Sequence, residues 1–243
     1  MIYVSGDIHG EIQKALFNIQ MYQMSPADVF VLLGDVGLNY FLNHNEEYNK
    51  AELNAAGVPI LCVHGNHEAR PATILSYHEA DWRGGKVYVE DAYPNLLFAK
   101  DGEIYDLEGR KAVVIGGAYS VDKEYRLLRG WKWFPDEQPS DEIKAYVESQ
   151  LEKTGWQVDL VFTHTCPYPY EPVEAYMPDM DQSKVDKSTE AWLGTIQSKL
   201  KYKHWYCGHW HINKHLRIQS ENGASKELDF LMNTVKSLSP EDE

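Results

Sequence analysis

A chain of 243 residues, 43% hydrophobic and 25% charged, is long enough to bury one large core, and its composition excludes disordered, collagen-like and fibrous classes. The formal net charge of −14, from 37 acidic and 23 basic residues, repels phosphate backbones at long range. It argues against extended non-specific contact with DNA or RNA and leaves room for a local basic patch.

Taken in chain order, Ile2 to Val4 reads as a core strand. No basic, apolar leader precedes it, and no apolar run has the length of a membrane span; a soluble cytoplasmic protein without membrane contact is expected. Glu11 to Met24 reads as a helix with Ile12, Leu16 and Ile19 on one face. Val29 to Leu33 is a second strand, Glu46 to Ala56 a helix ended by Gly57, and Val58 to Val63 a third strand. This βαβαβ order predicts a parallel sheet with covering helices.

The middle of the chain predicts short strands at Lys86 to Val89, Leu96 to Ala99, Glu103 to Leu107 and Ala112 to Ile115. Turns at residues 91–95, at Asp101-Gly102 and at Glu108-Gly109 separate them, and Asp101-Gly102 suits a tight hairpin. Ser140 is expected to cap a helix running to about Lys153, with Asp141 and Glu142 at its positive end. Strands follow at Asp159 to Phe162, Trp205 to Cys207, Leu216 to Gln219 and Leu228 to Leu231, with a helix between Thr189 and Leu200. The expected architecture is therefore α/β, with two sheets and helices outside. Residues 1–238 read as one domain and 239–243 as an acidic, frayed tail. The three cysteines, Cys62, Cys166 and Cys207, are too few and odd in number for a disulfide framework; Cys62 and Cys207 sit in apolar runs and read as core thiols in a reducing compartment.

Five short motifs each follow an apolar strand-like run: Gly6-Asp7-Ile8-His9-Gly10, Gly34-Asp35-Val36-Gly37, Gly65-Asn66-His67-Glu68, Thr163-His164-Thr165 and Gly208-His209-Trp210-His211. Functional groups of open α/β sheets gather beyond the carboxyl ends of strands, so motifs far apart in sequence can converge on one cleft. Carboxylate, imidazole and amide carbonyl donors suit divalent ions such as Mn²⁺, Fe²⁺ and Zn²⁺. Each motif alone is compatible with an ordinary turn; the set of five points to a metal site.

In this order the motifs resemble those of the calcineurin-like metallophosphoesterases, D-x-H, G-D, G-N-H-[DE], H and G-H-x-H, across Asp7 to His211. The resemblance implies a four-layer α/β/β/α sandwich and a hydrolase acting on phosphate monoesters or diesters. It implies Asp7, His9 and His211 as ligands of one metal, Asn66, His164 and His209 as ligands of a second, and Asp35 as the carboxylate bridging both. Two divalent ions, Mn²⁺ foremost with Fe or Zn as alternatives, would hold a nucleophilic hydroxide between them. His67 would be the general acid that protonates the leaving group.

The chain departs from the protein serine/threonine phosphatases of this family, whose second motif extends to G-D-x-V-D-R-G; here it reads Gly34-Asp35-Val36-Gly37-Leu38-Asn39-Tyr40. The second acid and the arginine are missing, so His67 needs another orienting partner and a phosphoprotein substrate is disfavoured. Arg70, Lys123, Arg126 and Arg129 are the candidate cations for phosphate. The proline-rich stretch after His164, Cys166 to Pro172 running on to Tyr176-Met177-Pro178, is a candidate wall with Tyr168 as an aromatic contact, and the stretch from Gly130 to Pro135 is another candidate wall. Cys166 reads as a bystander, and Trp210 as packing that orients its neighbours. The expected substrate is a small phosphorylated molecule or nucleotide. A nuclease acting on nucleic acid and a non-catalytic scaffold of the same fold remain as alternatives.

Overall fold

The computed structural model describes residues 1–178, 180–219 and 225–239; most of the expected acidic tail, residues 240–243, lies outside them. Two mixed β-sheets face each other. The first takes β1 (Ile2–Ser5), β2 (Val29–Leu32), β3 (Ile60–Cys62), β4 (His78–Trp82), β5 (Gly85–Val89), β6 (Leu96–Ala99) and β13 (Lys236–Leu238), in the order β13-β1-β2-β3-β6-β5-β4. The second takes β7 (Ile104–Leu107), β8 (Arg110–Ile115), β9 (Leu160–Thr163), β10 (His204–Cys207), β11 (Lys214–Gln219) and β12 (Ser225–Phe230), in the order β11-β12-β10-β9-β8-β7. The centre of each sheet is parallel and its edges are antiparallel.

Alternation along the strands builds the layers. Val29, Val31 and Leu33 join Leu160, Phe162 and Tyr206 in the core between the sheets. The intervening Phe30 and Leu32 face outward and are covered by α1 (Ile12–Met21) and α2 (His44–Ala55) through Ile12, Ile19 and Leu53. On the other side Val113, Val161, Trp205 and Cys207 pack beneath α4 (Asp141–Lys153) and α5 (Ser188–Lys199) through Val147, Leu151 and Trp192. Period-two strands buried on both faces yield the four-layer α/β/β/α arrangement that the resemblance implied. All three cysteines are buried and unpaired, as read for Cys62 and Cys207.

The turn at Asp101-Gly102 is a correction. It does not close a hairpin: β6 belongs to the first sheet and β7 to the second. Leu97, Ala99, Tyr105 and Leu107 all face the inter-sheet core, so the chain must cross between layers here instead of folding back on itself. Gly102 adopts φ +87° against α4, where a Cβ would lie 2.8 Å from the Val147 Cα. The first helix is also shorter than expected. Gln23 turns left-handed at φ 51°, and the Met24 N–H folds back to the Ile19 carbonyl at 2.9 Å. Three elements carried no sequence signal: β4, whose residues are half or fully exposed, the short β13, and the two-turn α3 (Lys123–Arg129). Among the described residues no helix is long and apolar enough to cross a membrane.

Candidate metal centre

The five motifs converge. Each leaves a strand of the parallel centres: β1 leads to Asp7 and His9, β2 to Asp35, β3 to Asn66 and His67, β9 to His164, and β10 to His209 and His211. Asp7, Asp35, Asn66 and His164 are buried, whereas His9 and His211 open to solvent. His9, Asp35, His209 and His211 all take positive φ, at 45°, 47°, 64° and 52°. Side chains with a Cβ disfavour this region, and such strain persists only where the surroundings enforce it, here at four candidate donors of one cluster. The flanking glycines allow the close approach. A Cβ on Gly65 would lie 2.1 Å from Asp35 Oδ1, and one on Gly208 2.2 Å from Asp7 Oδ1.

Two groups of donors flank Asp35. In the first, His211 Nε2 lies 3.3 Å from Asp7 Oδ2 and 2.9 Å from His9 Nε2, and His9 Nδ1 lies 3.9 Å from Asp35 Oδ2. In the second, Asn66 Oδ1 lies 2.8 Å from His164 Nε2 and 3.0 Å from His209 Nδ1, and His164 Nε2 lies 3.6 Å from Asp35 Oδ1. Outer hydrogen bonds orient these donors. His164 Nδ1–H donates to the Leu33 carbonyl at 2.7 Å, which leaves Nε2 as a lone pair facing inward. Asn66 Nδ2–H donates to Ser120 Oγ at 2.9 Å, which turns Oδ1 toward the histidines. The backbone N–H of His209 donates to Asp7, and that of His67 to Asp35 Oδ1 at 2.9 Å. Seven oxygen and imidazole donors gathered in two groups about Asp35, with His164 Nε2 and Asn66 Oδ1 turned inward, fit the coordination chemistry of divalent cations.

Electrostatics follow from this packing. Burial works to raise the Asp35 carboxyl, but His164, His67 and His9 outweigh it and hold the group below the usual carboxylate range. Burial lowers His209 well below the ordinary imidazole value, reinforced by His164. Against its own burial, His164 is raised by Asp35 and Asp7; His211 is raised by its hydrogen bond to Asp7. Glu68, fully buried, is pushed up to about 7 by desolvation and by Asp35. It accepts the N–H groups of Gly65 at 3.0 Å and Gly37 at 3.3 Å, tying two of the motif loops together.

His67 sits at the mouth of the cluster. Arg126 Nη2 donates to its ring and lies 3.1 Å from Nε2; Asp122 Oδ1 is 3.8 Å from the same nitrogen and Asp122 Oδ2 accepts Arg126 Nε–H at 2.8 Å. Burial lowers the His67 ring below its ordinary value, with Arg126 adding to the effect and Asp35 and Asp122 opposing it. Two cavities meet at Asp35 and His67. One, of about 260 Å³, is walled by Tyr119, Tyr176, Met177, Lys187 and Trp210; the other, of about 620 Å³, by Tyr40, Phe41, Arg126 and Trp131.

Of the residues expected at the substrate, Arg126 lines one of these two cavities and four do not. Arg70 is drawn into a pair with Asp101 at 2.6 Å and donates to the Asp136 carbonyl at 2.7 Å. Lys123 lies over the Trp133 ring at 4.0 Å, Arg129 is exposed over Tyr125, and Tyr168 is exposed. Trp210, read as packing, lines the smaller cavity beside His209. Sequence reasoning did not name Ser120, Asp122 or Lys187, whereas Tyr176 and Met177, in the proline-rich stretch read as a candidate wall, do line the smaller cavity. Ser120 and Asp122 follow β8 just as the recognised motifs follow their strands, a positional signal that could have found them; Lys187 carries none.

The chain matches the family model of the calcineurin-like phosphoesterases over residues 1–213. None of the curated proteins compared with the chain matches it. Among solved structures, TT1561 of Thermus thermophilus superposes with a TM-score of 0.51 at 12% identity, covering 96% of this chain and 89% of that one, a likeness of fold. Phosphopantetheinyl hydrolase (PptH) from Mycobacterium tuberculosis, at 16% identity over 95% of this chain and 89% of that one, superposes with a lower TM-score of 0.46. The motif order, the two-sheet fold and the family match over most of its length agree: this chain belongs to the calcineurin-like phosphoesterase family.

Proposed function

We propose that the chain hydrolyses phosphate esters at a two-metal centre. Asp7, His9 and His211 would hold one divalent cation and Asn66, His164 and His209 the other, with Asp35 as a ligand shared by both. The carrying observation is that six donors gather around Asp35, the seven together coming from five loops and four of the seven standing on left-handed backbone. When bound, such cations supply Lewis acidity toward phosphoryl oxygens and an acidified water as nucleophile. Mn²⁺ is the first choice, with Fe and Zn as alternatives; oxygen and imidazole donors admit all three.

The chain's own residues supply the rest. Arg126, whose guanidinium bridges His67 and Asp122, is the cation suited to a phosphoryl oxygen. In the resting arrangement its N–H donates to His67, so that ring is a hydrogen-bond acceptor. An anionic ester that draws Arg126 onto itself removes a positive charge from beside His67, so the ring takes up a proton from solvent and, as imidazolium, gives it to the leaving oxygen. Asp122 then orients the ring, the task for which the second motif lacks an acid. Tyr119, Tyr176 and Trp210 wall the side on which an organic group of the substrate rests.

Two variants test this reading with Mn²⁺-loaded protein and para-nitrophenyl phosphate, its bis-ester and an alkyl phosphate. Asp35→Ala is expected to lose manganese and hydrolysis together; a variant with full metal content and the normal rate sinks the bridging role. His67→Ala is expected to keep its metal while turnover of the alkyl ester falls by about 10²–10⁴-fold. Loss of metal in that variant, read by elemental analysis, makes His67 a ligand instead.

A further inference from the structure

A second group of metal-ligating side chains lies in the other half of the molecule's sheet pair, outside the five loops. His204, Asp229 and His215 stand on β10, β12 and β11, three adjacent strands of the second sheet. His215 is directly opposite Asp229 in the antiparallel pair, and Asp229 is opposite Tyr206 in the parallel one, two residues from His204. Asp229 is 1% exposed. His204 Nε2 lies 2.6 Å from Asp229 Oδ2, and His215 Nδ1 lies 3.1 Å from Asp229 Oδ1, so each carboxylate oxygen faces one imidazole. One ligand atom from each of the three residues lies within 4.8 Å of the others. The His204 ring stacks on Tyr206 at 4.0 Å and 10°, which fixes its direction.

We propose that His204, His215 and Asp229 bind a divalent transition cation, zinc by preference. Two imidazoles and one carboxylate on a rigid sheet are the donor set of a tetrahedral zinc site, with the fourth position left for water. Other charges face the group. Glu227 places Oε2 3.4 Å from His204 Nδ1 and favours a cation. Lys236, on β13 of the opposite sheet, reaches Asp229 Oδ1 at 3.5 Å and opposes one, but its side chain is 44% exposed and withdraws into solvent without breaking a strand. The bound ion would clamp β10 to β11. These two strands bracket the segment from Gly208 to Asn213, which carries His209 and His211, so the site braces that loop from behind.

The test uses the full chain, stripped with a chelator, reloaded with Zn²⁺ alone, desalted and analysed for zinc per chain. His215→Ala and His215→Gln are compared with the parent, and all three are repeated in an Asp35→Ala background. His215 is exposed, so neither change disturbs the core. Both variants are expected to lose one zinc equivalent in both backgrounds, and the rise in Tm on adding Zn²⁺ is expected to shrink. Equal zinc content in parent and variants in both backgrounds overturns the site. An Asp35→Ala change that leaves zinc content unaltered counts against the centre around Asp35 and leaves the site on β10, β11 and β12 standing.

Discussion

Asn66 occupies the pivot between the centre and its surroundings. Its Oδ1 faces two histidines only because its Nδ2–H is engaged by Ser120 Oγ. Removing that acceptor frees the amide to rotate and present an N–H to the rings. Ser120→Ala is therefore expected to weaken Mn²⁺ binding by about 10–100-fold, with smaller effect on fold stability, and a metal titration monitored by activity reads it. An unchanged titration midpoint would show that Asn66 keeps its orientation without the hydroxyl. The motif Gly65-Asn66-His67-Glu68 announced Asn66 at once; its partner was not legible, because a lone serine after a strand has no pattern until folding sets it against the amide.

At the level of elements, the crossing from β6 to β7 rests on Asp101. Its Oδ1 accepts the Gly116 N–H at 2.6 Å and its Oδ2 pairs with Arg70, whose Nε–H donates to the Asp136 carbonyl. One carboxylate thus joins the crossing to the end of β8 and to the approach to α4. Arg70 and Asp101 side chains are only 11% and 7% exposed, and breaking a buried pair strands its partner. Arg70→Ala is expected to lower unfolding free energy by about 3–5 kcal/mol while KM stays constant, read by denaturant titration and steady-state kinetics. A raised KM at unaltered stability would return Arg70 to the substrate. The same element explains the misplaced hairpin. Asp-Gly marks a reversal of the chain, but whether the reversed strand rejoins its own sheet depends on which layer has room for Tyr105 and Leu107, and that is a property of the packed core.

For the whole molecule, the candidate centre sits where parallel strands from both sheets end together, so an ion bound there would couple to the closure of the sandwich. Chelation is expected to lower Tm, and Mn²⁺ at about 100 times its dissociation constant to restore about 2.7 kcal/mol, or roughly 5–11 °C for a chain of this size, read by thermal melts. A Tm indifferent to chelator and metal would mean that the loops hold their shape without an ion. The net charge of −14 acts at the same scale, favouring cations at the centre and disfavouring a long polyanion. By itself the sequence determined the class of fold, because runs such as Val29–Leu32 are apolar on both faces and demand cover on each. It also made the candidate donors legible, because Asp, His and Asn stood after strand after strand in a readable order. Tertiary structure alone decided which cations and aromatics reach the cavities, as the fates of Arg70, Arg126, Tyr168 and Tyr176 show. A long side chain on a loop can reach in several directions, and the direction it takes is set by neighbours distant in the chain.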